Sequence, residues 1–81
     1  MTTPLNKLKT VFAECIELPA DTDFNTVAYG KTDGWDSVAH MALVANIETA
    51  FDLMLATEEV IGLSSFPKAK EILTGYGVVF D

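Results

Sequence analysis

The segment from Val38 to Phe51 carries apolar side chains at Val38, Met41, Val44, Ala45, Ile47 and Phe51, at the three- and four-residue spacing of a helix with one apolar stripe. Asp36 and Ser37 stand directly before it, and both are residue types that cap helices. This predicts the longest helix of the chain, over about residues 37–52. A stripe of that length must be covered by other elements, and the rest of the sequence supplies more helices rather than strands. Thr3-Pro4 is a cap and first-turn signal, and Leu5, Leu8, Val11, Phe12 and Cys15 then recur at helical spacing up to Leu18-Pro19, where proline ends the run. This predicts a first helix over about 4–16. Thr57 with Glu58 and Glu59 predicts the capped start of a short third helix, about 57–62. Ser65 and Pro67 open a last one bearing Ala69, Ile72 and Leu73, which stops near Gly75 and Gly77. No convincing alternating stretch and no repeat is present.

The fold class expected is therefore all-α, a small four-helix bundle with a long loop, about residues 17–35, between helices one and two. A loop of that length must pack its own side chains or carry function, and Phe24, Val27, Tyr29 and Trp35 are available for packing. Phe12, Met41, Ile47, Phe51 and Ile72 are expected to face inward from different helices. At 81 residues the chain is expected to form a single domain, 1–81. No apolar run approaches the ~20 residues of a membrane span, and the N-terminal MTTPLNKLK lacks the apolar region of a secretory signal. The expectation is a cytoplasmic monomer. Cys15 has no partner cysteine, so no disulfide within the chain and no multi-cysteine metal site is expected, and its helical spacing predicts a small buried hydrophobe.

Twelve acids against five bases give a net charge of −7, which disfavours nucleic acid and anionic membranes as partners and favours basic protein surfaces. No base occurs between Lys31 and Lys68, whereas Asp33, Asp36, Glu48, Asp52, Glu58 and Glu59 all do.

Gly34-Trp35-Asp36-Ser37-Val38 leads directly into the striped helix. A phosphate ester on Ser37 would sit at a helix N-terminus, where unpaired N–H groups and the positive end of the dipole gather. Asp36-Ser37-Val38 at this position resembles the modification motif of the acyl carrier protein family, Asp-Ser-Leu at the start of the second helix. Residues 36–51, ending in Ile47-Glu48 and then Phe51, look like that family's second helix. Residues 18–24 resemble its loop-one segment, 57–60 its third helix and 70–73 its fourth. The resemblance implies a bundle of acyl-carrier type that has no enzymatic activity of its own. It implies that Ser37 receives 4′-phosphopantetheine from coenzyme A through a holo-carrier-protein synthase that reads Asp36. The arm's thiol would then carry acyl intermediates of fatty-acid, polyketide or related biosynthesis as thioesters. Partners would be acyl-loading and acyl-transfer enzymes with basic surfaces, docking on Asp33, Val38, Met41, Glu48, Asp52, Glu58 and Glu59. A peptidyl or aminoacyl carrier would share this serine, and an unmodified carrier-like adaptor would share the fold. Two departures stand out: Val38 replaces the customary Leu, and helix two is poor in acids, with neutral Ala39, His40, Ala42 and Ala50 expected near its exposed side.

Asp36, Ser37 and His40 are also the residue types of a hydrolytic triad, but the acid in such a triad orients the base from its far side, and no Gly-x-Ser-x-Gly elbow is present. His40 is expected to be a partly exposed surface residue. Asp21-Thr22-Asp23-Phe24-Asn25 imitates the first ligands of a calcium loop, but Thr26 stands where the loop needs Gly and Thr32 where it needs a bidentate Glu. Asp21 and Asp23 are expected to form side-chain to backbone turns instead.

Overall fold

Each helix begins where a side chain or a proline can serve its first turn. A computed structural model describes residues 3–19 and 22–80, and its helices are α1 (Pro4–Ile16), α2 (Ser37–Phe51), α3 (Thr57–Gly62) and α4 (Phe66–Thr74). Thr3 Oγ1 accepts the Asn6 amide at 3.1 Å ahead of α1, Asp36 Oδ1 the Ala39 amide at 2.9 Å ahead of α2, and Ser65 Oγ the Lys68 amide at 3.1 Å ahead of α4. Helix α3 differs from expectation: its cap is Ala56, and Thr57 is already helical. Alanine has no side-chain acceptor. Glu59 instead reaches back to the Ala56 amide at 2.8 Å, which is the reciprocal half of a capping box, and the helix keeps the expected bounds with the cap one residue earlier. Helices α1 and α2 close on Glu17 and Asp52 in the left-handed conformation, at φ 58° and 53°.

The core gathers Leu8, Phe12 and Ile16 of α1, Leu43, Val44 and Ile47 of α2, and Phe66, Ala69 and Leu73 of α4. Phe12 and Ile47 are fully buried, as the sequence predicts, whereas Met41 is 63% and Val38 79% exposed. The buried side of α2 runs through Leu43 rather than along the Val38–Met41–Ala45 line. The reason is that α2 carries apolar residues on nearly every side, so periodicity alone does not choose the face that packs. Phe51 and Ile72 lie half-buried at the margin of the core, as does Cys15, which is not the fully buried residue expected. Lys7 of α1 donates to the Ala50 carbonyl near the end of α2 at 3.1 Å and stands over the Phe51 ring.

The connection between α1 and α2 is itself part of the core. Asp23 Oδ1 accepts the Asn25 amide and heads a 3₁₀ turn, Phe24–Thr26, while Asp21 lies outside the described residues. Val27 and Trp35 are each only 2% exposed. The Tyr29 amide donates to Ser64 O at 2.8 Å and the Phe66 amide to Val27 O at 3.3 Å, so the connection is pinned to the start of α4. Gly34, at φ +91°, passes so close to α1 that a Cβ there would lie 2.7 Å from the Ile16 carbonyl oxygen. That close approach delivers Trp35 to the core, where its ring meets Phe12 edge-on at 5.4 Å; Phe12 in turn meets Phe66 at 4.9 Å. The radius of gyration, 11.5 Å, matches the ~11.7 Å of a compact chain of this length.

Because Phe12 is enclosed and Phe51 is not, Phe12→Ala should cost about 3–5 kcal/mol in urea unfolding and Phe51→Ala distinctly less. Equal losses would show that the rim of the core is packed as tightly as its centre.

Candidate functional site

Ser37 is the first residue of α2, exposed, and its hydroxyl makes no hydrogen bond to the described residues. Asp36, also exposed, spends one carboxylate oxygen on the Ala39 amide, and its carbonyl accepts the His40 amide at 2.8 Å. The amides of Ser37 and Val38 therefore have no acceptor among the described residues, as expected of a helix start. An open surface depression of about 450 Å³ lies beside them, lined by residues 29–34 with Trp35, Asp36 and Ser37. A second hollow of about 260 Å³, between Lys9, Phe24 and Lys70, contains none of the predicted site residues.

His40 is partly exposed, as expected, but its ring is engaged on both sides. Its ring is half-buried, nearly coplanar with the Trp35 indole at 22° with centroids 6.0 Å apart, and packed against Tyr29 in a T-shaped arrangement at 5.2 Å. Trp35 Nε1 lies 3.1 Å from His40 Nδ1, and His40 Nε2 lies 2.8 Å from the Val60 carbonyl oxygen of α3. An indole N–H can only donate, so Nδ1 is the acceptor and Nε2 carries the proton that it donates to Val60. Both nitrogens are committed, and neither faces Ser37 as a base. The triad-like composition of this segment thus has no triad geometry.

The acids fall into two groups. Asp33, Asp52 and Glu58 are exposed, with no side-chain hydrogen bond among the described residues. Glu48 is half-buried and accepts the Leu55 amide at 2.9 Å, fastening the turn after α2. Glu59 accepts the Tyr76 hydroxyl as well as the Ala56 amide. The Tyr76 hydroxyl, then the Ala56 amide, hold the Glu59 carboxyl below its usual range, and the Glu59 carboxylate pushes Tyr76 up. Burial pushes the Cys15 thiol up, with the nearby Glu14 carboxylate adding to it against an opposing contact from Asn46.

Of the neutral residues expected on the exposed side of helix two, only Ala42 is exposed; Ala39, His40 and Ala50 are half-buried. Exposed apolar residues near the site include Val38 and Met41, and the sequence reading missed Met54 at 82% and Ile61 at 77%. Met54 sits in an unbroken Leu-Met-Leu run, and only the fold separates its exposed member from buried Leu55. The Trp35–His40 pair was also missed. The available signal was a core tryptophan, whose N–H needs an acceptor, five residues before the chain's one histidine.

Comparison with protein-family models, curated proteins and solved structures found no match to this chain. Among the described residues, no helix is long and apolar enough to cross a membrane, and no group of three or more His, Cys, Asp or Glu could hold a metal ion.

The lowered Glu59 carboxyl fixes the sign of a pH effect. Its ionised form contributes stability above the carboxyl's unfolded value, and that contribution is lost as pH falls through the folded one. Tyr76→Phe should therefore lower Tm at neutral pH, with the gap to wild type narrowing below the usual carboxylate range. A gap that is unchanged on acidification would show that the hydroxyl does not act through Glu59.

Proposed function

We propose that this chain is a carrier protein of acyl-carrier type, with 4′-phosphopantetheine attached to Ser37 Oγ. The carrying observation is an exposed, hydrogen-bond-free serine hydroxyl at the first position of the longest helix, directly after its aspartate cap and on the rim of an open depression. These residues fit a phosphodiester. The unpaired amides of Ser37 and Val38 and the positive end of the α2 dipole would meet its charge, and Lys31 lines the same depression. In the bound state the arm supplies a thiol that holds cargo as a thioester for enzymes of fatty-acid, polyketide or related biosynthesis. The chain's own residues present the serine, cap its helix and offer a docking face. A tether of this kind keeps cargo near millimolar effective concentration at each docked enzyme, by the argument that governs short linkers, so docking itself can be weak.

The partner surface that fits is basic, to meet Asp33, Asp52 and Glu58, with an apolar patch for Val38 and Met41. In this reading the protein is a single-domain, cytoplasmic monomer whose first partner is a phosphopantetheinyl transferase.

Incubation with coenzyme A and a promiscuous transferase should add one phosphopantetheinyl group by mass, and Ser37→Ala should add none. Undiminished addition in that variant would overturn the site. Asp33 is exposed, so Asp33→Lys should slow the modification several-fold at low ionic strength and little at high salt. Salt-independent slowing would point to damage of the loop instead.

A further inference from the structure

We infer that His40 is a positioning residue for the Ser37 site, joining the connection that lines the depression to helix α3 through one imidazole ring. Helix α3 has six residues, none fully buried, and of them only Val60 is among the hydrophobics packed against the core. Isolated helices of that length are marginal. Three contacts from side chains supply what packing does not: Glu59 on the Ala56 amide at its start, Tyr76 on Glu59, and His40 on the Val60 carbonyl near its end. The carbonyls of the last turn have no partners within a helix, and His40 Nε2–H serves one of them at 2.8 Å. Of the three, only the His40 contact reaches α3 from α2.

The proton on Nε2 is fixed from the opposite side. Trp35 is 2% exposed and its N–H must find an acceptor, which is His40 Nδ1. The in-plane bond to Trp35 and the T-shaped contact with Tyr29 hold the ring plane. The buried indole thus selects the tautomer that can donate to α3. Met41 follows His40 and Ile61 follows Val60, and both are exposed. The bond between His40 and Val60 therefore fixes where these apolar side chains stand relative to each other and to Ser37. Only the last part of this inference rests on the carrier reading, namely that enzymes acting on Ser37 read that arrangement.

The decisive comparison is His40→Leu, which can neither accept nor donate, against His40→Gln, whose amide can do both. In His40→Leu, α3 amides should exchange roughly tenfold faster while α1 and α4 keep their protection, and Trp35 emission should shift. KM for a phosphopantetheinyl transferase should rise about fivefold with kcat nearly unchanged, because the defect lies in presentation rather than in the serine. His40→Gln should restore most of each value. Wild-type exchange in His40→Leu, failure of glutamine to rescue, or an unchanged KM alongside a loosened α3 would each overturn the proposal. Should the leucine variant not fold, the imidazole ¹⁵N shifts of the wild-type protein decide: a single Nε2–H tautomer is expected, and mixed tautomers would refute it. The exchange and tautomer measurements use unmodified protein. A wild-type chain that accepts no phosphopantetheine would thus overturn the carrier reading while leaving them intact.

Discussion

A buried indole has one polar atom, and the fold must give it an acceptor. Trp35 occupies the centre of the aromatic packing, edge-on to Phe12, with Phe12 against Phe66 and Phe66 against Phe24, so the helices and the long connection share one hydrophobic cluster. Its N–H can be satisfied there because the first turn of α2 brings His40 within 3.1 Å. The histidine ring then has a donor to spare for α3. A single requirement at the core thereby orders the approach of the connection to α1 at Gly34, the start of α2 at Asp36 and the seating of α3.

The acidic composition divides along the same lines. Net charge describes the whole surface, yet Glu48 and Glu59 accept backbone amides that would otherwise go unpaired, while Asp33, Asp52 and Glu58 remain exposed and uncommitted among the described residues. Electrostatic attraction and structural capping therefore draw on different residues. Apolar side chains left in solvent on α2 and α3 accompany the free acids; under the proposed carrier reading, charge would govern a partner's approach and apolar area the contact.

The helices were legible in the sequence because their limits are set locally, by Thr3-Pro4, Leu18-Pro19, Asp36 and Ser65-Pro67. The buried side of α2 was not, because leucine, valine, methionine and alanine surround that helix and only the neighbouring elements decide which of them are covered. The bounds of α3 were legible, but its cap was placed one residue late because threonine is the better cap in isolation, whereas the Glu59 side chain, three residues on, could serve Ala56. Ser37 stood out through its position before a stripe. The work of Glu48, Glu59 and His40 did not, since their partners lie seven, seventeen and twenty residues away and spacing along one helix is silent about them.

Both long helices end on an acidic residue held at positive φ, Glu17 after α1 and Asp52 after α2. Left-handed backbone is strained for any residue with a Cβ, and a carboxylate at a helix C-terminus opposes the negative end of the dipole. Glycine would remove both penalties, so these ends are kept weaker than they need be. Opening should begin there and spread into the segments that follow, one leading to Trp35 and the other to α3. Both strained ends lie outside the Phe12–Phe66 contact, so opening at either can proceed while that aromatic centre stays closed.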